Sequence, residues 1–94
     1  MEQRIVLKFP KDLSKLAGNT FGRTTYENQV KETIDLSQKI IFSFPAGIDR
    51  IASSFVQGFF DALVNEIGIS GIEEQITFES SVPNIKEFVL ENLE

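Results

Sequence analysis

The chain has no cysteine, no histidine and no tryptophan among its 94 residues. Without Cys and His there is no thiolate nucleophile, no Ser-His-Asp triad, no imidazole acid–base pair and no Cys/His zinc site. The expectation is therefore a protein without catalytic residues, metal or cofactor. Missing cysteines also fit a cytoplasmic location. No apolar run approaches the roughly 20 residues that a membrane helix needs. The first residues, Met1-Glu2-Gln3-Arg4, carry an acid and lack a signal-peptide pattern. Neither a Walker A sequence nor G-x-G-x-x-G occurs, so a glycine-rich nucleotide loop is unsupported. Basic charge is scarce in the second half: after Arg50 only Lys86 is cationic, against Asp61, Glu66, Glu73, Glu74, Glu79, Glu87, Glu91 and Glu94. Lys8, Lys11, Lys15 and Arg23 are scattered and lack interleaved aromatics, so nucleic acid is not the expected partner.

What is present is a phenylalanine-rich core. Nine phenylalanines, 41% hydrophobic residues and 24% charged residues describe an ordinary globular chain. Its length fits a single domain, residues 1–94, able to form a core without staples.

Arg4 to Phe9 reads as a strand that Pro10 ends. Lys11 to Thr20 reads as a polar connector pinned by Leu13 and Leu16, with a turn at Gly18-Asn19. Thr24-Thr25-Tyr26-Glu27 has capping-box spacing, although Thr20 is an earlier possible start. Tyr26, Val30 and Ile34 share one helical face. Lys39 to Phe44 is nearly continuous in apolar residues, as expected of a strand covered on both faces. Phe55 to Ile67 is a helix with a wide apolar stripe. In it, Gly58 and Ala62 are small enough for close approach to the sheet, and Gly68 takes a positive-φ end position. A loop to Glu74, a strand over Gln75–Phe78 and a helix capped by Ser80 or Ser81 complete the chain. The order β-α-β-α-β-α predicts an α/β layer fold: a mixed sheet with helices packed on it, the later strands mainly parallel.

The segment before the long helix carries the functional interest. Ser53 and Ser54 stand where backbone N–H groups lack helical partners. Ser54-Phe55-Val56-Gln57 has the spacing of a capping box, which accounts for Ser54 structurally. A phosphate on the same hydroxyl would add nearly two negative charges beside a positive dipole end. Asp49 and Arg50 form either a partner-orienting pair or an ordinary surface pair. Adjacent Glu73 and Glu74 read as solvated carboxylates.

Gly47-Ile48, Ile51-Ala52-Ser53-Ser54-Phe55, the long helix and Ile76-Thr77-Phe78 together resemble the STAS-like domains of unknown function, relatives of the anti-sigma factor antagonists. The likeness covers roughly residues 20–93. In the antagonists an Asp-Ser-Ser-Gly motif at a helix start carries the serine that a partner kinase phosphorylates. Ala52-Ser53-Ser54-Phe55 matches it, with Ala52 and Phe55 in place of the acid and the glycine. Phe44 stands where STAS-like members tend to carry an acid at the end of the central strand. The resemblance implies a non-enzymatic regulatory module that docks a protein partner, often a histidine-kinase-like ATPase. By it, Ser54 is the phosphoacceptor with Ser53 beside it, and Gly47, Asp49, Arg50 and Phe55 form the partner-binding surface. The alternative is an inhibitor or adaptor, encoded on a mobile element, that needs no phosphorylation and covers a basic surface with its acidic half.

Overall fold

The computed structural model describes residues 1–94. Three strands, β1 (Glu2–Val6), β3 (Lys39–Ser43) and β5 (Ile76–Glu79), form the main sheet in the order β1-β3-β5. Both pairings are parallel, with Ile5 opposite Phe42 and Phe42 opposite Phe78. The sheet is thus parallel throughout, where the sequence predicted a mixed one. Parallel neighbours need a crossover; α1 (Asn19–Gln29) supplies the first and α2 (Ser53–Gln75) the second, while α3 (Ile85–Leu93) follows β5. Two short strands, β2 (Lys15–Leu16) and β4 (Arg50–Ile51), pair in parallel as a separate ribbon immediately before the two crossover helices. No helix is long and apolar enough to cross a membrane.

Strand alternation decides which side is buried. Ile5, Leu7, Ile40, Phe42, Phe44 and Ile76 point to one face and are buried. On that face Phe42 meets Phe59 and Phe60 of α2 edge-on, at centroid distances of 5.3 and 6.0 Å, and Tyr26 of α1 meets Phe59 at 5.7 Å. The opposite face bears Arg4, Val6, Lys39 and Thr77, all exposed. So β3 is covered on one side only, and its apolar run does not mean two covers. Ile41 is half-buried there without a helix above it. Arg4 holds this face together: its Nε donates to Glu79 Oε1 at 2.7 Å and its Nη2 to Ser43 Oγ at 3.2 Å, joining all three strands.

Several boundaries differ from those read in the sequence. β1 ends at Val6, although the Leu7 amide still donates to the Ser43 carbonyl at 2.9 Å. Phe9 leaves the sheet to pack on Phe21 and Phe55. The polar connector contains β2. α1 begins at Asn19, behind an N-cap Gly18 with φ 103°; Thr25 lies inside the helix and bonds back to the Phe21 carbonyl at 2.8 Å, so no Thr capping box forms.

α2 buries the stripe Phe55, Val56, Phe59, Phe60 and Leu63 as the periodicity required. Each such side chain contributes about 1.5–3 kcal/mol on burial. Gly68 breaks the helix with φ 72° and ψ 171°. The expected loop after it is helical again to Gln75, because fully buried Ile72 anchors a further turn. Gln75 is not in the strand; its amide donates to the carbonyls of Leu36 and Gln38 and ties down the α1–β3 connection. Before α3, the N-cap is Asn84 in the left-handed region (φ 54°), not Ser80 or Ser81. Ser80 Oγ accepts from the Val82 amide at 3.0 Å, and Ser81 Oγ donates to the Ala46 carbonyl at 3.0 Å. Both serines therefore shape the β5–α3 turn.

Candidate docking surface at the paired helix starts

The β2–β4 ribbon sets the starts of α1 and α2 beside each other. Lys15 is in register with Arg50, and Leu16 with Ile51. The Asp49 amide donates to the Ser14 carbonyl at 2.9 Å and the Ala52 amide to the Leu16 carbonyl at 2.8 Å. Beyond the ribbon the two helices touch backbone to backbone. A Cβ on Gly22 would collide with the Phe55 carbonyl and lie 2.8 Å from the Phe59 nitrogen. A Cβ on Gly58 would collide with the Asn19 carbonyl. Gly58 thus serves close approach to α1, not to the sheet.

Ser53 is the first residue of α2 and is exposed; Ser54 follows and is half-buried. The Ser54–Gln57 capping box does not form, since the N-cap is Ala52 and no side chain caps the helix. Instead Ser54 Oγ accepts the Gly18 N–H at 2.9 Å, and Gln57 Nε2 donates to the Asn92 carbonyl at 3.5 Å. The hydroxyl that the local sequence assigns to its own helix is used to cap the neighbouring one. Capping distance in sequence is three residues, but 36 separate Gly18 from Ser54, which is why no local pattern signals it.

The other expected docking residues divide. Gly47, Asp49 and Arg50 are exposed around the same corner. Phe55 is 1% exposed and stacks on Phe59 with ring centroids 5.6 Å apart. Its ring is core and offers nothing to a partner. Sequence reading missed Phe21, which is 37% exposed and packs edge-on against Phe55 at 5.6 Å, giving the first turn of α1 an accessible aromatic. Beside the ribbon lies a groove of about 400 Å³. Ile51, Ala52, Val82 and Phe88 line it with apolar surface, and Lys15 and Arg50 add two cations beside the Asp49 carboxylate. The face thus offers an apolar groove edged by charged side chains. No group of three or more acidic side chains is placed to hold a metal ion.

A family model described as the STAS-like domain of unknown function matches residues 23–86. No curated protein and no solved structure matches the chain. The matched span holds the central strand, the serine pair, all of α2 and most of α1, and so most of the fold described above. The chain belongs to the family of STAS-like domains of unknown function.

Proposed function

We propose that this protein is a non-enzymatic regulatory module that docks a protein partner through the paired helix starts, the partner being a histidine-kinase-like ATPase. The supporting observation is the corner itself: exposed Ser53, Gly47, Asp49 and Arg50 and half-exposed Phe21 surround the first turn of α2, with no catalytic constellation among them. Phosphorylation of a serine there is the proposed switch. A phosphate on Ser53 would stand at a helix N-terminus, where negative charge is favoured, and would reverse the charge balance beside Arg50. On Ser54 it would have to displace the hydroxyl that caps Gly18. Ser53 is accordingly the more accessible acceptor, although the antagonist motif aligns Ser54 with that role.

The test combines ATP, the purified ATPase and mass spectrometric mapping with calorimetric binding of the wild type, Ser53→Asp and Ser54→Asp. Modification at Ser53 or Ser54, together with at least tenfold weaker binding of the matching Asp variant, is the expected result. Ser54→Ala, which leaves the Gly18 N–H without this acceptor, should lower stability by about 0.5–1.5 kcal/mol, and a melting curve separates that loss from a binding effect. Unmodified serines and unchanged binding by both Asp variants would remove the switch.

Two observations favour the second reading, a phosphorylation-independent inhibitor or adaptor. The Ser54 hydroxyl already has a structural task, and Ala52 and Phe55 depart from the acid and glycine of the antagonist motif. In that case binding should fall steeply with salt and with charge reversal of Glu87 or Glu91 on α3, and the serine variants should bind normally.

A further inference from the structure

Away from the docking corner, a cleft of about 600 Å³ opens between α1, the α1–β3 connection and α2. That volume lies in the range of small-molecule sites. Its apolar surface comes from the Tyr26 ring, Ile34, Leu36 and Ala62. Tyr26 is 7% exposed, yet its hydroxyl bonds to none of the protein's own groups. No sealed side-chain polar atom in the molecule lacks a partner, so this oxygen opens into the cleft that Tyr26 lines. The ring is packed into the protein while the oxygen stays accessible, the arrangement in which an amphipathic phenol presents its polar end.

Charge around the cleft indicates what that would be. The α2 wall carries Asp61 and Glu66, and α1 adds Glu27. Against these three carboxylates stand Arg23 and Lys31. Arg23 reaches back toward Asn19 Oδ1 at 3.5 Å, and no ion pair closes across the cleft; the sole ion pair of the protein joins Arg4 and Glu79 on the far face. Glu66 and Tyr26 line the same cleft, and burial first, and then the Glu66 charge, hold the phenol above its ordinary range. An ammonium group placed between the Tyr26 oxygen and the Glu66 carboxylate would donate to both, since each oxygen is a hydrogen-bond acceptor.

We propose that the cleft between α1 and α2 binds a small primary amine, its ammonium group held between the Tyr26 hydroxyl and the Glu66 carboxylate and its apolar body lying on Ile34, Leu36 and Ala62. The site is separate from the docking corner and does not depend on the partner proposed above. An anionic ligand is disfavoured by the excess of carboxylates, and a wholly apolar one by the phenol oxygen it would leave dry.

The experiment is a nuclear magnetic resonance titration of the full chain with 2-phenylethylamine, 2-phenylethanol and 3-phenylpropionate as probes. The amine should shift the Tyr26, Ala62 and Glu66 amides saturably, and the alcohol and the carboxylate should bind at least tenfold more weakly. Glu66→Gln should weaken amine binding at least tenfold and Tyr26→Phe severalfold, with Glu73→Gln, outside the cleft, unchanged. Unshifted spectra of the variants away from the cleft verify that they fold. Absence of saturable shifts, equal binding of amine and alcohol, or full affinity in Glu66→Gln would overturn the proposal. So would binding of a lysine-containing peptide with the free amine silent, which would assign the cleft to a protein partner.

Discussion

Gly22 and Gly58 decide how near the two crossover helices come. Periodicity marks Gly58 as a small residue within an apolar stripe, but the atom it makes room for is the Asn19 carbonyl, at the start of the other crossover helix and distant in sequence. Gly58→Ala forces the helices apart and should cost about 1–3 kcal/mol or more, by the usual penalty of overpacking. Gly47, where an added Cβ would meet only open space, should accept Ala with little change. Urea midpoints of the two variants check the pair. A second residue-scale prediction concerns Glu79. Its hydrogen bond from Arg4, and next one with Ser43, hold the carboxyl below its ordinary value of 4.5. A lowered folded-state pKa means the unfolded chain binds the proton more readily. The contribution to stability is therefore present above pH 4.5 and is lost as pH falls through the lowered folded value. Carboxyl carbon titration by nuclear magnetic resonance should find Glu79 below the free-glutamate value, and Arg4→Met should return it upward.

At the scale of elements, local pattern and tertiary packing part company at the ends. The long apolar helix was legible because Phe55, Phe59 and Leu63 form one row and Val56, Phe60 and Val64 the next. Gly68 was legible as a positive-φ position, and φ is 72°. Its ψ of 171° belongs to a region reached almost only by glycine, so Gly68→Ala should cost on the order of 1–3 kcal/mol. Thermal denaturation should show the loss, and circular dichroism should retain the helices on either side. That the chain turns helical again after Gly68 was not legible, because Ile72 is held by the sheet-covering core and not by any local repeat. Side-chain amides supply other long-range ties. Gln29 donates to the Lys8 carbonyl at 2.8 Å and accepts its amide at 2.7 Å, and Gln3 receives the Asp35 amide at 2.7 Å while donating to the Thr33 carbonyl at 2.7 Å. A polar residue at a helix end or in a strand gives no sign of such a role until its partner is in place.

Over the whole molecule, one layer of helices covers one face of a three-stranded parallel sheet. Phe42 is the centre of that interface, within 6.3 Å of the rings of Phe59, Phe60 and Phe78. Phe42→Ala should destabilise the protein by about 3–5 kcal/mol, enough to remove much of the stability of a domain this size. A guanidinium titration that follows both tyrosine fluorescence and far-ultraviolet circular dichroism should record the loss as one shifted transition. The β-α-β-α-β-α order of the main sheet and its helices, the apolar stripe of α2 and the serine pair at its start were determined by sequence alone, since each rests on spacing along the chain, whereas the short β2–β4 ribbon was not. Which face of the sheet stays bare, how Gly18 comes to use Ser54, and that Phe21 stays accessible in the first turn of α1 were decided only by tertiary structure. Those outcomes depend on groups far apart in the chain that meet after the strands have paired. Local periodicity marks a side chain as apolar or capping; only packing selects the atom it touches.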